Sequence, residues 1–130
     1  MSSITLVTTD KAPGAVGPYS QALSAGPFVF TSGQLPIIPE TKTMPQDVAE
    51  QAAASLNNVR AVLEAAGSSM DKVLKTTVYL VDINDFAAIN EVYATYFKQP
   101  FPARSCFAVK SLPLGAKIEI EAVAAISAFL

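Results

Sequence analysis

Histidine and tryptophan are absent from this 130-residue chain, and cysteine occurs once. Without histidine, the chain lacks the side chain that most often transfers protons near neutral pH and binds transition metals. Zinc sites are built mainly from cysteine and histidine ligands, and Cys106 alone can neither supply such a set nor form an internal disulfide. The six glycines are dispersed, so no phosphate-binding loop is present. We therefore expect neither a metal nor a cofactor, and any catalysis has to use carboxylates, arginine and water.

Charged residues are also scarce, at 15% of the chain with a net charge of −2. The lysines are scattered along the sequence, so no basic stripe is available for binding phosphates of a nucleic acid. No apolar run approaches the length that spans a membrane. Together with a single cysteine, which favours a reducing compartment, this composition predicts a cytoplasmic protein without nucleic-acid or membrane partners.

The chain length fits one domain, residues 1–130. Apolar residues make up 51% of it, and the mean hydropathy is +0.36. A small monomer has to expose most of its surface to solvent, so this high apolar content favours a surface that is buried between subunits.

The hydrophobic pattern predicts the element order β, β, β, α, β, α, β, β. Alternating or β-branched segments predict strands at residues 4–8, 19–24, 28–32, 73–81, 104–109 and 117–126. The first helix follows Asp47, which with Glu50 makes a capping pair, and stops at Gly67. The second is capped by Asp82 or Asn84 and ends before Pro100. Their apolar stripes are Val48, Ala52, Leu56, Val59 and Leu63, then Phe86, Ile89, Tyr93 and Phe97.

Two helices cover only one face of a sheet of this size. The strand at residues 73–81 nevertheless carries apolar residues on both faces, with Leu74, Thr76, Val78 and Leu80 in one alternating set. A helix-free face that is still apolar predicts packing against another copy of the chain. We expect a homo-oligomer with closed symmetry of low order.

Arg104 and Glu119 are candidate site residues. Arg104 opens a strand after a proline-containing loop, and its guanidinium is a planar fork of donors suited to a carboxylate or phosphate. The alternative is a structural salt bridge to a glutamate. Glu119 and Glu121 share one face of the last strand, and the alternative for both is an ordinary solvated or ion-paired carboxylate.

The weaker candidate site residues are Tyr19, Ser32, Gly33, Asn90 and Cys106. Tyr19 stands at a strand entry, Ser32 and Gly33 end a strand, and Asn90 lies beside the apolar stripe of the second helix. Each has a plain structural alternative, as a rim tyrosine, a turn or a local hydrogen bond. Cys106 shares a face with Arg104, but without a histidine base it is expected to be a small apolar residue rather than a nucleophile.

Several ordered motifs resemble the RidA (YjgF) family of reactive enamine/imine deaminases. They are GPYSQA at residues 17–22, TSGQ at 31–34, NEVYATYF at 90–97, PARSC at 102–106 and LPLGAKIEIEA at 112–122. Each motif is weak alone, but their combination in order over the whole chain is specific.

The resemblance implies a chorismate-mutase-like α+β fold, a mixed sheet with two helices packed on one face. It also implies a homotrimer whose sheets form a central barrel, with clefts between subunits. In these clefts Arg104 and Glu119 would be the catalytic residues, each meeting residues of a neighbouring chain. The substrate-binding set implied by the family also includes Tyr19, Ser32, Gly33, Asn90 and Cys106.

The implied reaction is hydrolysis of 2-iminobutanoate or 2-iminopropanoate, the tautomers of 2-aminocrotonate and 2-aminoacrylate, to a 2-keto acid and ammonia. It needs no cofactor. Two other functions stay open from sequence. One is a non-catalytic binder of small carboxylates or metabolic sensor, and the other is an RNA-acting translation inhibitor, against which the acidic pI argues.

Overall fold

The computed structural model describes residues 3–130, which form a six-stranded sheet and two α-helices. In chain order the elements are β1 Ile4–Val7, β2 Ala22–Ala25, β3 Phe28–Thr31, α1 Val48–Ala65, β4 Val73–Leu80, α2 Phe86–Ala94, β5 Ala103–Ala108 and β6 Ile118–Ala125. The predicted order of strands and helices is confirmed. Neither α-helix of the described chain combines the length and apolar character needed to cross a membrane.

The strands lie in the order β1-β2-β3-β6-β4-β5. Neighbours are antiparallel except β4 and β5, which are parallel. Parallel neighbours need a crossover, and α2 provides it between β4 and β5. The last strand, β6, is inserted between β3 and β4, while β5 is left at an edge. The sheet is therefore mixed, as the α+β expectation required.

Helix α1 begins where the capping pattern predicts. The side chain of Asp47 accepts a hydrogen bond of 3.1 Å from the Glu50 backbone N–H, which satisfies one of the orphan donors of the first turn. The apolar stripe is buried against the sheet, with Leu56, Val59 and Leu63 fully inaccessible. Gly67 follows the helix with a φ of +82°, a conformation that glycine adopts without strain.

Helix α2 is shorter than predicted. Asp82 caps a preceding 3-10 turn instead, by accepting a bond from the Asn84 N–H. At the other end, the Thr95 hydroxyl donates to the Val92 carbonyl, and the Thr95 and Tyr96 N–H groups bond three residues back. The threonine side chain competes for a backbone carbonyl, and the backbone bonds tighten to a spacing of three residues. The α-helix therefore ends at Ala94, and Phe97 packs from the segment that follows it.

Two strands also depart from the sequence pattern. Strand β2 begins only at Ala22, because a tight turn bonds the Tyr19 N–H to the Gly17 carbonyl. In β4 the register shifts between Val73 and Lys75, so the alternation changes there. Leu74 is consequently exposed, although the uniform alternation of the sequence grouped it with buried residues.

Both helices pack on the same face of the sheet, which is called the helix face below. Its core consists of alternate residues of the central strands, and the fully or nearly fully buried members are Val29, Thr76, Val78, Leu80, Ile118, Ile120, Ala122 and Ala124. The Tyr93 hydroxyl of α2 bonds to Thr76 Oγ1 at 2.7 Å, which ties α2 to this face. The core lies between the sheet and the helices.

The opposite face, called the open face, is not covered by any helix of the described chain. The pairing of β1, β2 and β3 places five exposed apolar side chains on this face or its edges: Ile4, Leu6, Leu23, Phe28 and Phe30. Phe107 of β5, paired with Tyr79, is exposed on the same face. A contiguous apolar surface of this kind is typical of a subunit interface.

Candidate active site

Arg104 lies on the helix face of the edge strand β5. Its pairing partner in β4 is Thr76, and paired residues direct their side chains to the same face. The guanidinium Nη1 donates a hydrogen bond of 2.7 Å to Asn90 Oδ1. Its Cζ lies 4.8 Å from the centroid of the Tyr93 ring and 5.5 Å from that of Phe86. Helix α2 therefore supplies all the neighbours that fix this arginine.

An open cavity of about 450 Å³ lies beside this guanidinium. Its lining residues are Asn90, Tyr93, Ala94, Phe101, Pro102 and Arg104. One fixed cation among mainly apolar walls suits a small anion that carries a short apolar group. A carboxylate matches the donor fork, and the aromatic and proline walls match an alkyl side chain.

Cys106 follows two residues later on the same face and is half-buried. Burial raises the pKa of its thiol, and the nearby Arg104 charge only partly opposes this effect. The thiol is therefore protonated at neutral pH, and a protonated thiol is a poor nucleophile. Cys106 is not among the residues that line the cavity beside Arg104, so its place in the substrate-binding set stays a prediction.

Glu119 lies on the open face, paired with Tyr79 in β4. It is half-buried, and this burial raises the pKa of its carboxyl group, with a further contribution from the neighbouring Glu121 charge. Its carboxylate packs over Gly33, where an added Cβ would lie 2.7 Å from Glu119 Cδ. Gly33 thus provides the space that Glu119 occupies.

The two glutamates of β6 have different surroundings. The Tyr79 hydroxyl donates a bond of 3.1 Å to Glu121 Oε1, and burial together with this bond raises the pKa of Tyr79. Within residues 3–130, Glu119 receives no such hydrogen bond from a side chain. Glu119 is thus the carboxylate that remains available to a water molecule or substrate.

Tyr19 and Gly33 line a small cavity of about 70 Å³ near Glu119. The Tyr19 side chain is half-exposed, and the Val16 N–H reaches its hydroxyl at 3.4 Å. The Ser32 hydroxyl donates to the Ser20 carbonyl and so braces the loop before Gly33. Of these three predicted site residues, Gly33 lies against Glu119, while Tyr19 shares the cavity with Gly33 and Ser32 precedes it in the chain.

The predicted site residues thus form two groups in one chain. Arg104, Asn90 and Cys106 form the first group on the helix face, which we call the arginine half-site. Glu119 and Gly33, with Tyr19 and Ser32 nearby, form the second, the glutamate half-site. Since Arg104 pairs with Thr76 and Glu119 pairs with Tyr79, three residues further along β4, their side chains leave opposite faces.

The structural alternative for Arg104 is wrong for the described residues. Their one salt bridge joins Lys98 to Asp71 at 3.9 Å on the surface, and Arg104 bonds to an amide instead of a glutamate. The Lys117 ammonium donates to the Gln46 carbonyl. Neither glutamate of β6 is therefore consumed in a structural ion pair.

Sequence reasoning missed the aromatic neighbours of Arg104. The apolar periodicity of α2 predicts only that Phe86 and Tyr93 belong to a buried helical stripe. Their spacing of seven residues places them on one side of α2, and that stripe also faces the edge strand where Arg104 begins β5. An arginine predicted beside an aromatic stripe was the signal that could have indicated the contact.

No group of three or more histidine, cysteine, aspartate or glutamate side chains in residues 3–130 is placed to hold a metal ion. The polar atoms that are placed for chemistry are the guanidinium, the Asn90 amide and the Glu119 carboxylate. This arrangement can bind an anion and can transfer a proton through a carboxylate of raised pKa.

Comparison with known proteins gives consistent matches over nearly the whole chain. Residues 9–126 match the protein family described as Endoribonuclease L-PSP. The chain is 49% identical over 126 residues to the putative reactive intermediate deaminase TdcF of Escherichia coli strain K12, covering 95% of this chain and 98% of that protein. It is also 49% identical over 121 residues to the 2-iminobutanoate/2-iminopropanoate deaminase of the same strain, covering 91% and 94%.

The fold is similar to that of solved structures. A crystal structure of Escherichia coli TdcF with bound serine superposes with a TM-score of 0.90 at 47% sequence identity. The match covers 95% of this chain and 99% of that one. The mixed sheet with two helices is therefore shared with a protein that binds a small amino acid.

Proposed function

This chain belongs to the Endoribonuclease L-PSP family, which includes the RidA (YjgF) proteins, and on that basis we propose that it is a 2-iminobutanoate/2-iminopropanoate deaminase. The reaction adds water to the C=N bond of a 2-imino acid and releases a 2-keto acid and ammonia. The observation that carries the proposal is the fixed guanidinium of Arg104 beside an apolar cavity, which suits a small 2-imino carboxylate.

We propose that the complete site is assembled from two copies of the chain. The arginine half-site and the glutamate half-site leave opposite faces of the sheet, so one chain alone does not bring them together. The exposed apolar side chains of the open face support an assembly that buries this surface. A closed trimer with a central barrel of sheets, as the family resemblance implies, would pair the half-sites in three equivalent clefts.

In such a cleft, Arg104 would bind the substrate carboxylate through two parallel N–H···O bonds. Glu119 of the neighbouring copy would accept a proton from water while the water oxygen forms a bond to the carbon of the protonated imine (C=NH2+), whose C=N electron pair moves to the nitrogen. The resulting carbinolamine then collapses as Glu119 returns the proton to the nitrogen. The C–N bond breaks, ammonia leaves, and the second hydroxyl proton goes to solvent as the carbonyl forms.

The raised pKa of Glu119 supports this role, because a carboxyl group whose pKa lies closer to neutrality both accepts and returns a proton more readily. Imines already hydrolyse in water, so the rate enhancement required is modest, about two to three orders of magnitude or roughly 3–4 kcal/mol. Orientation of the substrate and one charge contact can supply an enhancement of that size.

The test is the release of 2-keto acid from an imine generated in the assay by a dehydratase or an amino-acid oxidase. The wild-type protein should accelerate this release. Arg104→Ala should remove the acceleration, because it deletes the only cation of the arginine half-site. Near-normal turnover by Arg104→Ala would contradict the carboxylate contact.

The two other functions considered from sequence are less favoured. Two relatives that are 49% identical are named as deaminases, which favours turnover over sensing alone. The net charge of −2 and the scattered lysines also disfavour RNA as a partner. Salt-sensitive RNA binding would revive that alternative, and tight binding of keto acid without imine turnover would revive the sensor. We also propose that the protein is cytoplasmic, since a chain with one free cysteine suits a reducing compartment.

A further inference from the structure

Tyr93 lies directly beside the guanidinium of Arg104. The Arg104 Cζ is 4.8 Å from the centroid of its ring, close enough for a cation–π interaction. Asn90, three residues earlier on the same helix, accepts one guanidinium N–H at 2.7 Å. The Phe86 ring is more distant, at 5.5 Å from the same Cζ. The guanidinium is thus restrained by two aromatic rings, of which Tyr93 is the nearer, and by one hydrogen bond, and within residues 3–130 its remaining donors are left for a ligand.

The Tyr93 ring is itself firmly held. Only 5% of the residue is exposed, and its ring centroid lies 4.7 Å from that of Phe97. Its hydroxyl shares a buried hydrogen bond of 2.7 Å with Thr76 Oγ1. Thr76 pairs with Arg104 across β4 and β5. Thr76 therefore pairs with the backbone of Arg104 and also holds the hydroxyl end of the Tyr93 ring that lies beside the guanidinium.

We propose that Tyr93 is a positioning residue for the carboxylate contact, holding the guanidinium of Arg104 in the orientation that accepts a substrate carboxylate through two N–H groups. This role rests on the proposed function, since it requires Arg104 to bind a carboxylate. Bidentate binding needs both N–H groups in one plane with the carboxylate oxygens, and a fixed ring face limits rotation of the guanidinium about its side chain.

The measurement is the dissociation constant of 2-oxobutanoate, the product of the proposed reaction, determined by calorimetry. Tyr93→Leu should raise it about 2- to 30-fold, the factor that corresponds to a cation–π contact of ordinary strength. Tyr93→Phe keeps the ring and should stay within about twofold. In steady-state assays the change should appear in KM, with kcat of Tyr93→Leu nearly unchanged.

Tyr96→Leu is a matched control. Tyr96 also stacks on an arginine, with Arg60 Cζ 5.0 Å from its ring centroid, and its hydroxyl also bonds within the protein. The same substitution there should leave the affinity for 2-oxobutanoate unchanged. An equal loss of affinity in both leucine variants would overturn the positioning role, because it would indicate a general weakening of the fold.

The same Tyr93→Leu substitution in an Arg104→Lys variant distinguishes orientation of the guanidinium from general packing of the cavity. Arg104→Lys keeps the charge but replaces the planar fork with a point charge that has no plane to orient. In that background Tyr93→Leu should change the dissociation constant by less than about twofold. A loss of the same factor in both backgrounds would mean that Tyr93 acts on the cavity generally, and the proposal would be wrong.

Failure of the proposed function gives a different result. In that case the wild-type protein does not hydrolyse the imine, whether or not it binds 2-oxobutanoate. If the wild type is active and Tyr93→Leu binds equally well, only the positioning role is contradicted. Should Tyr93→Leu not fold, Tyr93→Met provides the test, since it removes the ring beside the guanidinium and fills its space with a flexible apolar side chain. Its dissociation constant should rise, and an unchanged value would overturn the proposal.

Discussion

The carboxylate of Glu119 owes its chemistry to its immediate neighbours. It is half-buried and close to a second carboxylate, and these surroundings raise its pKa. Its place depends on Gly33, because any side chain at that position would occupy the same space. Asn90 has a comparable role for Arg104, to which it bonds directly. Single contacts of this kind hold the Glu119 and Arg104 side chains in the two proposed half-sites.

Gly33→Ala should therefore impair catalysis by displacing Glu119. The new Cβ would lie 2.7 Å from Glu119 Cδ, so the carboxylate has to move. A displacement of about 1 Å in a catalytic group lowers turnover by roughly tenfold to a hundredfold. The assay is 2-keto acid release from a generated imine. Gly14→Ala is the matched control, since nothing lies within 4 Å of its added Cβ, and similar activity in both variants would contradict the assigned role of Gly33.

Glu119→Gln should alter how stability depends on pH. Because its folded pKa is raised above the ordinary value of 4.5, the folded state favours the protonated acid. The stability that this preference contributes is present below the ordinary pKa and is lost as pH rises through the raised value. The melting temperature of Glu119→Gln relative to wild type should therefore increase between about pH 4 and about pH 8.

The control for this comparison is Glu64→Gln, which changes an exposed glutamate of α1. Its melting temperature relative to wild type should not follow the same trend. A Glu119→Gln difference that stays constant with pH, or falls as pH rises, would show that Glu119 does not have a raised pKa in the folded protein.

At the level of elements, the helices were predictable to different degrees. The beginning of α1 followed from Asp47 and Glu50, because an N-cap is a local interaction between residues close in sequence. The end of α2 did not, since Thr95 competes for backbone bonds that a periodic apolar pattern does not reveal. The register shift after Val73 was also invisible, because it depends on pairing with β6.

The helix caps provide a test at this scale. Asp47→Ala should lower the free energy of unfolding by about 1 kcal/mol, because it leaves the Glu50 N–H without its acceptor. Chemical denaturation is the measurement. Asp85→Ala is the matched control, since Asp85 occupies the N-cap position of α2 without a side-chain cap bond. Equal losses in the two variants would contradict the contribution assigned to the Asp47 cap.

At the level of the whole molecule, the two half-sites face away from each other. Alternation along each strand groups Arg104 with Cys106 and Glu119 with Glu121, and both groupings could be read from the sequence. Which face each group occupies depends on the pairing of β4 with β5 and β6, which are distant in sequence. That pairing is set by the fold as a whole, so the motifs indicated the residues but not their separation.

The central claim, that each site needs two copies of the chain, is tested most directly by co-expressing Arg104→Ala with Glu119→Gln. Each variant alone should be inactive. In the trimer proposed above, if equal amounts of the two variants assemble at random, about a quarter of all clefts would combine an intact Arg104 with an intact Glu119 from the other copy. Imine hydrolysis should therefore return to about one quarter of the wild-type rate. Activity no greater than that of the inactive parents, in oligomers shown to contain both variants, would contradict the account.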